Sequence, residues 1–264
     1  MKIALVQVAS PDSETREERI DRVEAILRGI NGAELIVLPE LWSAGYFHFD
    51  AYEDLAETLD GPTVSMCSRV AAELGVYLHL GSIIEAGGDG QLSNTSILLG
   101  PDGNVVHTYR KIHVFGYKSK EASLLTAGSS LPVVPLPFGA VAGITCYDLR
   151  FPGLWMELSH RGADIVIVPA AWPAARREHW RLLTTARALE HQIFVIACNA
   201  AGNQEGVDLG GHSRVVDPGG NVIAEAGSDE TVLMVDIDPR QVQAVREEFP
   251  VIGDRLPAYN TLTV

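Results

Sequence analysis

The sequence predicts an α/β protein with mixed sheets. Short apolar stretches, typical of buried strands, alternate with charged amphipathic stretches, typical of helices. Two pairs of strand-like stretches flank the turn sequences Gly-Pro-Asp-Gly and Asp-Pro-Gly-Gly, which indicates antiparallel hairpins inserted into the alternation. The stretch 131–138 is proline-rich, but it is apolar and short, more typical of a turn and an edge strand than of a linker. We therefore expect one domain over residues 1–264.

The first half of the chain begins with strands and helices in alternation and ends in a hairpin. Ser13 is the expected N-cap of the first helix, because its hydroxyl can accept a hydrogen bond from the first helical turn. In order, the predicted elements are a strand at 3–8, a helix at 13–30, a buried strand at 34–39, a helix at 63–74, a strand at 76–84 and hairpin arms at 93–99 and 104–110.

The second half returns to alternation. Pro152 and Gly153 are expected to break the chain before a helix. The predicted elements are an edge strand within 131–138, strands at 141–145, 164–169 and 193–199, helices at 154–158 and 178–191, hairpin arms at 213–216 and 221–226, a strand at 232–237 and a helical tail at 238–248.

Composition restricts the compartment and the partners. The formal net charge of −14 argues against a nucleic-acid or anionic-membrane surface, because both need clustered Lys and Arg. No apolar stretch approaches the ~20 residues of a membrane span, and the N-terminus lacks the pattern of a signal peptide. The cysteines are three in number and show neither a disulfide nor a zinc spacing, so we expect a cytoplasmic protein.

Cys146 is the first candidate for catalysis, because it stands where a buried strand runs into a turn. Nucleophiles are often presented at such turns, where backbone N–H groups can stabilise an oxyanion. The alternative is an inert buried thiol, since free cysteine is among the most buried residue types.

Glu40 and Lys111 are two further candidates at strand ends. Glu40 follows a buried strand and precedes Leu41-Trp42, so partial desolvation should raise its pKa and suit it to proton transfer. Lys111 follows a hairpin arm and, if it turns inward, supplies a cation for an oxyanion. Each has a structural alternative, a carboxylate facing water or backbone and a solvated edge-strand lysine.

Together these three residues resemble the carbon–nitrogen hydrolase (nitrilase-like) superfamily, which uses a Glu–Lys–Cys triad. The resemblance runs from residue 3 to about residue 256. It is carried by the segments Leu38-Pro39-Glu40-Leu41-Trp42, Tyr109-Arg110-Lys111-Ile112-His113-Val114-Phe115 and Cys146-Tyr147-Asp148-Leu149-Arg150-Phe151-Pro152, in that order.

The resemblance implies a fold and a mechanism. The fold is a four-layer α-β-β-α sandwich with the triad at strand ends. Cys146 is the nucleophile that forms a thioester, Glu40 moves the proton, and Lys111 and the backbone N–H of Tyr147 hold the oxyanion. Glu121 matches a second glutamate that positions the substrate and the lysine, although Ala122-Ser123 stand where the family has Ser-Asp.

The segment after the cysteine resembles the amidase branch that includes omega-amidases. It implies a small-molecule amide substrate, hydrolysed with water, such as the ω-amide of a short carboxylate (2-oxoglutaramate for example). Arg150 is either a clamp for the substrate carboxylate or part of a structural pair with a protein carboxylate. Tyr46 and Trp172 are either pocket walls or core aromatics.

Several alternatives stay open on the sequence alone. An N-carbamoyl-amine hydrolase, an aliphatic amidase or a nitrilase would share the triad. A papain-like pairing of Cys146 with His179 or His212 is a different mechanism. A catalytically idle scaffold member would lack a reactive thiolate of lowered pKa. No metal or nucleotide cofactor is indicated, and the family implies a homodimer or larger homo-oligomer.

Overall fold

The computed structural model describes residues 1–88 and 90–256; the end of the expected domain, 257–264, lies outside the described residues. The strands are β1 (Lys2–Gln7), β2 (Leu35–Val37), β3 (Tyr77–Ala86), β4 (Leu92–Leu99), β5 (Val105–Arg110), β6 (Val134–Leu136), β7 (Gly139–Gly143), β8 (Ile165–Ala170), β9 (Phe194–Asn199), β10 (Asn203–Gln204), β11 (Val207–Asp208), β12 (Arg214–Val216), β13 (Val222–Glu225) and β14 (Thr231–Asp236). The helices are α1 (Arg16–Arg28), α2 (Tyr52–Leu55), α3 (Pro62–Leu74), α4 (Glu121–Leu124), α5 (Pro152–His160), α6 (Arg177–His191) and α7 (Gln241–Glu248).

The described residues form two six-stranded mixed sheets. The first has the order β14-β1-β2-β3-β4-β5, with β1, β2 and β3 parallel and the other pairs antiparallel. The second has the order β13-β12-β9-β8-β7-β6, with β7, β8 and β9 parallel. Both predicted hairpins are present, β4–β5 within the first sheet and β12–β13 at the edge of the second.

Successive residues of the parallel strands pack alternately against the other sheet and against the helices, which produces the layers of the fold. In β1, Ile3 and Leu5 belong to the same apolar cluster as Ile165 of β8, so the two sheets face each other. Ala4 of β1 belongs instead to a cluster with Leu27 of α1 and with residues of α3. The outward residues of β8 pack in the same way with residues of α5 and α6. Because strands buried on both faces need apolar residues throughout, these strands lack a polar face. The α-β-β-α sandwich is therefore confirmed.

Several predicted boundaries differ from the structure by one to three residues, and two of the wrong helix starts have a clear physical cause. The first helix begins at Arg16, and its N-cap is Thr15 rather than Ser13: the Thr15 hydroxyl accepts from the Glu18 N–H, while the Glu18 carboxylate accepts from the Thr15 N–H. This reciprocal capping box outweighs the single cap that Ser13 offers. Pro152 does not break the chain before the helix but is its first residue, where its missing N–H costs nothing.

The short elements α2, α4, β10 and β11 are absent from the sequence-based prediction. Each spans four residues or fewer, too short for hydrophobic periodicity to indicate it. No helix within the described ranges is long and apolar enough to cross a membrane.

Gly81→Ala tests how closely β3 approaches the segment that leads to Glu40. Gly81 has φ +78°, and a Cβ would lie 1.8 Å from the carbonyl oxygen of Pro39. Left-handed strain of about 1–2 kcal/mol and a steric penalty of about 1–3 kcal/mol should together lower the free energy of unfolding by about 3 kcal/mol. Chemical denaturation measures it.

Gly75→Ala is the matched control, because Gly75 also has a positive φ, +66°, with nothing within 4 Å of the added Cβ. It should cost only about 1 kcal/mol. Equal losses in the two variants would show that contact with Pro39 does not restrict this position.

Candidate active site

Glu40 directly follows Leu38 and Pro39, which extend the chain beyond the end of β2. The Leu38 N–H donates to the His79 carbonyl, which continues the parallel pairing with β3. The chain then turns sharply, with Leu41 at φ +46°, and the Glu40 carboxylate is buried. Its Oε1 accepts from Lys111 and its Oε2 accepts from the backbone N–H of Ala171, 2.9 Å away at the end of β8. Glu40 therefore contacts both sheets.

Lys111 is fully buried directly after β5. Its Nζ lies 2.8 Å from Glu40 Oε1 and 2.8 Å from Glu121 Oε1. Glu121, the first residue of α4, also accepts from the hydroxyl of Tyr46 at 2.8 Å and from the Phe115 N–H at 2.9 Å. The short helix thus holds a second carboxylate against the ammonium. Although Lys111 follows β5, the edge strand of the first sheet, its side chain is buried rather than solvated.

Cys146 follows β7 at the start of a tight 3₁₀ turn. Its φ of +47° is strained for a residue with a side chain, and such strain is common where a structure over-determines a functional side chain. The Glu40 carboxylate lies close enough to the thiol to raise its pKa. The site therefore places the sulfur near a carboxylate. His179 contacts Arg150 and His212 contacts Glu225, so the geometry does not favour a papain-like pairing with Cys146.

The charges of this cluster shift several pKa values. Burial raises the pKa of Glu40, partly offset by Lys111, and the charge of Glu121 raises it further. Burial alone would lower the pKa of Lys111, but Glu121 and Glu40 raise it well above its ordinary value. Burial, followed by the charge of Glu40, raises the pKa of the Cys146 thiol. The direction of this shift is opposite to the lowered thiol pKa that the sequence-based interpretation expected of a reactive cysteine.

Asp148 braces the nucleophile turn, and the sequence interpretation assigned it no role. Its buried carboxylate accepts from the Thr145 N–H at 3.1 Å, the Tyr109 hydroxyl at 2.7 Å and the His113 N–H at 2.9 Å. Tyr109 and His113 flank Lys111 in the chain, so one carboxylate couples the lysine segment to the cysteine turn. The Thr-x-x-Asp spacing of a cap was the available signal.

Asn94 of β4 is a second residue without a predicted role. Its Nδ2 donates to Glu40 Oε1 at 2.8 Å and lies 3.3 Å from Glu121 Oε1. On the sequence alone, Asn94 belongs to a predicted hairpin arm and to the segment Asn94-Thr95-Ser96, which supports the family resemblance without assigning a role. Long-range strand pairing brings it between the carboxylates.

An open cleft of about 630 Å³ lies beside this cluster. Tyr46 and Trp172 both line the cleft, although each is almost fully buried. Each side chain also donates a hydrogen bond within the protein: the Tyr46 hydroxyl to Glu121, and Trp172 Nε1 to the Arg176 carbonyl. The complete lining is Tyr46, Phe47, Phe115, Tyr117, Lys118, Tyr147, Arg150, Ala171, Trp172, Pro173, Ala175, Arg176, His179 and Val207.

Arg150 lies in this cleft without a carboxylate partner among the described residues. Its guanidinium is 4.4 Å from the centroid of the Trp172 ring, and both terminal nitrogens lie 3.3 Å from His179 Nδ1. Burial and the neighbouring Arg176 lower the pKa of the guanidinium. The structural pair with a protein carboxylate is therefore wrong, and the charge faces the cleft uncompensated.

One group within the described ranges has the spacing of metal ligands. Ligand atoms of Asp12, His48 and Glu205 lie within 4.8 Å of one another at the protein surface. His48 Nε2 is already 2.8 Å from Asp12 Oδ1, which accounts for the arrangement as a hydrogen bond between two loops.

Family comparison agrees with this fold. The sequence profile of the carbon–nitrogen hydrolases matches residues 2–247. The chain belongs to the carbon–nitrogen hydrolase family.

Individual relatives narrow the activity. The chain is 38% identical over 262 residues to a 2-oxoglutaramate amidase of Paenarthrobacter nicotinovorans, covering 97% of this chain and 89% of that protein. Nit3 of Saccharomyces cerevisiae, a nitrilase-superfamily structure, superimposes with a TM-score of 0.87 at 29% identity over 99% of this chain and 97% of that one. An amidase of Nesterenkonia sp. AN1, solved with acrylamide added to its active-site cysteine, superimposes with a TM-score of 0.82 at 27% identity. The match covers 95% of this chain and 98% of that one. The protein is an amidase that acts on C–N bonds other than peptide bonds.

Glu40→Gln should move the alkylation of Cys146 to lower pH. The Glu40 carboxylate raises the pKa of the thiol through its charge and its hydrogen bond, whereas Lys111 lowers it. Removing the carboxylate while keeping Lys111 should therefore yield thiolate at lower pH. The rate of iodoacetamide labelling as a function of pH measures the midpoint.

Cys146→Ala provides the background, because burial raises the pKa of Cys198 to about 12 and that of Cys67 further still. A midpoint that moves to higher pH in Glu40→Gln would contradict this electrostatic account.

Proposed function

We propose that this amidase hydrolyses the ω-amide of a short carboxylate, such as 2-oxoglutaramate, to the dicarboxylate and ammonia. The observation that carries the proposal is the uncompensated guanidinium of Arg150 in the cleft beside the thiol. A substrate carboxylate would supply the missing partner in bidentate geometry. The name of the Paenarthrobacter relative supports the same substrate class.

Acylation begins with proton transfer. Glu40, within hydrogen-bond reach of the thiol and of raised pKa, accepts the proton as Cys146 attacks the amide carbon. The oxyanion is held by Lys111 and by the N–H of Tyr147, since the first N–H groups of a helical turn lack intrahelical acceptors. The tetrahedral intermediate collapses as Glu40 returns the proton to the leaving nitrogen, and ammonia departs from the thioester.

Deacylation uses the same groups in the same order. Glu40 removes a proton from water, which attacks the thioester carbon, and the sulfur leaves with that proton. No cofactor enters either half of the cycle. Glu121 touches neither the thiol nor the reacting carbon in this scheme; it is a positioning residue that fixes Lys111 and keeps the ammonium charged.

The cleft also argues against the other family chemistries. A neutral aliphatic amide or a nitrile would leave the Arg150 charge without a counter-ion in a partly desolvated position, which costs binding energy. An idle scaffold has no need of a strained Cys146 beside a buried Glu–Lys–Glu cluster.

We place the reaction in the cytoplasm and in a homodimer or larger homo-oligomer. Three free, buried cysteines suit a reducing compartment. Exposed apolar side chains on α6, Leu182 and Leu189, are candidates for a subunit contact.

Ammonia release from a substrate panel tests the proposed function. The panel contains 2-oxoglutaramate, succinamate, glutamine, an N-carbamoyl amine, an aliphatic amide and a nitrile. The carboxylate-bearing ω-amides should be preferred, and Arg150→Gln should lower their kcat/KM by about 10²-fold, with little effect on the aliphatic amide.

Cys146→Ala is the control in the same assay and should show no turnover while keeping its fold. Preference for the neutral amide or the nitrile would refute the carboxylate-binding cleft.

Glu121→Gln tests positioning through the pH profile. Because Glu40 has a raised pKa and is the base, kcat/KM should fall on the acid side at a pH above the ordinary value of 4.5. The charge of Glu121 contributes to that rise, so its loss should move the acid limb to lower pH. We expect a loss in plateau rate of about tenfold or more, because Lys111 loses one of its two carboxylates.

Glu157→Gln is the matched control, since the one ion-pair partner of Glu157 among the described residues is Arg161, on the exposed face of α5. An unchanged acid limb in Glu121→Gln would show that the residue has no electrostatic influence on the base.

A further inference from the structure

The charge of the cleft is positive, opposite in sign to the net charge of the protein. The chain carries a formal net charge of −14, yet the charged side chains that line the cleft are Lys118, Arg150 and Arg176, and no Asp or Glu occurs among the described lining residues. One substrate carboxylate can neutralise only one of these cations. The remaining positive charge is available to act on another part of the substrate.

Arg176 carries the second guanidinium of the cleft, and Trp172 contacts both arginines. Its carbonyl accepts from Trp172 Nε1 at 2.8 Å, and the Trp172 ring lies 4.4 Å from the Arg150 guanidinium. The guanidinium of Arg176 lies 5.9 Å from the centroid of the Phe115 ring, which comes from a distant part of the sequence. No ion pair to Arg176 occurs within the described residues, so its charge, like that of Arg150, is directed at whatever occupies the cleft.

The two guanidiniums are close enough to influence each other. The pKa of Arg150 is lowered by burial and then by the charge of Arg176. When a substrate carboxylate binds Arg150, the atom next to that carboxylate, C2 of the acid, enters the field of Arg176. A carbonyl oxygen at C2 is attracted by this field, whereas an ammonium group at C2 is repelled.

We propose that Arg176 is a specificity-determining residue that favours 2-oxo acid ω-amides and rejects the corresponding 2-amino acids. This inference rests on the proposed function, because it takes the substrate carboxylate to be bound at Arg150. The rejected class has a clear chemical reason to be excluded. Glutamine has the same chain length and the same terminal amide as 2-oxoglutaramate, so the chemistry at Cys146 cannot distinguish them and only the group at C2 can.

Three substrates of equal length isolate the group at C2. Glutaramate carries CH₂ there, 2-oxoglutaramate a carbonyl and glutamine an ammonium. Their kcat/KM values are measured in the native enzyme and in Arg176→Gln by ammonia release. The ratio of glutamine to glutaramate should rise about tenfold in the variant, because one charge–charge repulsion is removed. The ratio of 2-oxoglutaramate to glutaramate should fall several-fold.

Two further variants control for charge and for structure. Arg176→Lys keeps the cation and should retain the discrimination against glutamine. Arg240→Gln removes one positive charge from an exposed arginine whose only ion pair among the described residues is with Asp238, and it should leave all ratios unchanged. Arg176→Ala provides a second neutral variant if Arg176→Gln is unstable.

The outcomes separate the inference from the function on which it rests. Unchanged ratios in both neutral variants, or an equal loss for all three acids, would overturn the role of Arg176 while leaving the ω-amidase activity in place. Turnover of a neutral aliphatic amide without turnover of the three acids by the native enzyme would overturn the proposed function, and the inference with it.

Discussion

The buried contact of Lys111 with Glu40 and Glu121 is the constraint on which the site depends. Both carboxylates lie 2.8 Å from the ammonium, and all three side chains are inaccessible to solvent. Desolvating such charges costs several kcal/mol per ion, and apolar residues of similar size would often be as stable. The cluster is therefore better explained by chemistry than by stability: it keeps a charged donor and a basic carboxylate in a place that excludes water. Removing Lys111 would leave two buried carboxylates without their cation.

The fold supplies what this cluster requires, because its members come from different strand ends. Glu40 follows β2, Lys111 follows β5, and Cys146 follows β7 of the other sheet. Leu41 and Cys146 both have positive φ, so the chain turns sharply directly after Glu40 and at Cys146 itself. The Asp148 carboxylate links the lysine segment to the cysteine turn through hydrogen bonds from both. The Ala171 N–H of the second sheet donates to Glu40 of the first. Such contacts over long sequence separations make the site geometry a property of the whole sandwich.

Much of this was predictable, and the exceptions share physical causes. Apolar strands and hairpin turns have strong local signals, so the main strands and both hairpins follow from the sequence, whereas the four-layer arrangement was implied by the family resemblance. The roles of Glu40, Lys111 and Cys146 stay predictions that their convergence supports. Thr15 was not predicted as the N-cap because its advantage lies in reciprocal hydrogen bonds with Glu18. The contact of Asn94 with Glu40 was not predicted because it depends on strand pairing. The pKa of Cys146 was expected in the wrong direction, since burial and the Glu40 charge depend on three-dimensional contacts.

Chemistry and selection are divided between two environments. The cluster around Lys111 is dry, and its carboxylates stay close to the sulfur, where an anionic substrate group would be repelled. The cleft is open, bears uncompensated guanidiniums and lies within an acidic protein. A substrate with a carboxylate at one end and a neutral amide at the other is therefore oriented by charge alone, with the amide towards Cys146. Because the orienting charges touch neither the thiol nor its base, the selectivity of the cleft can change without altering proton transfer at Glu40.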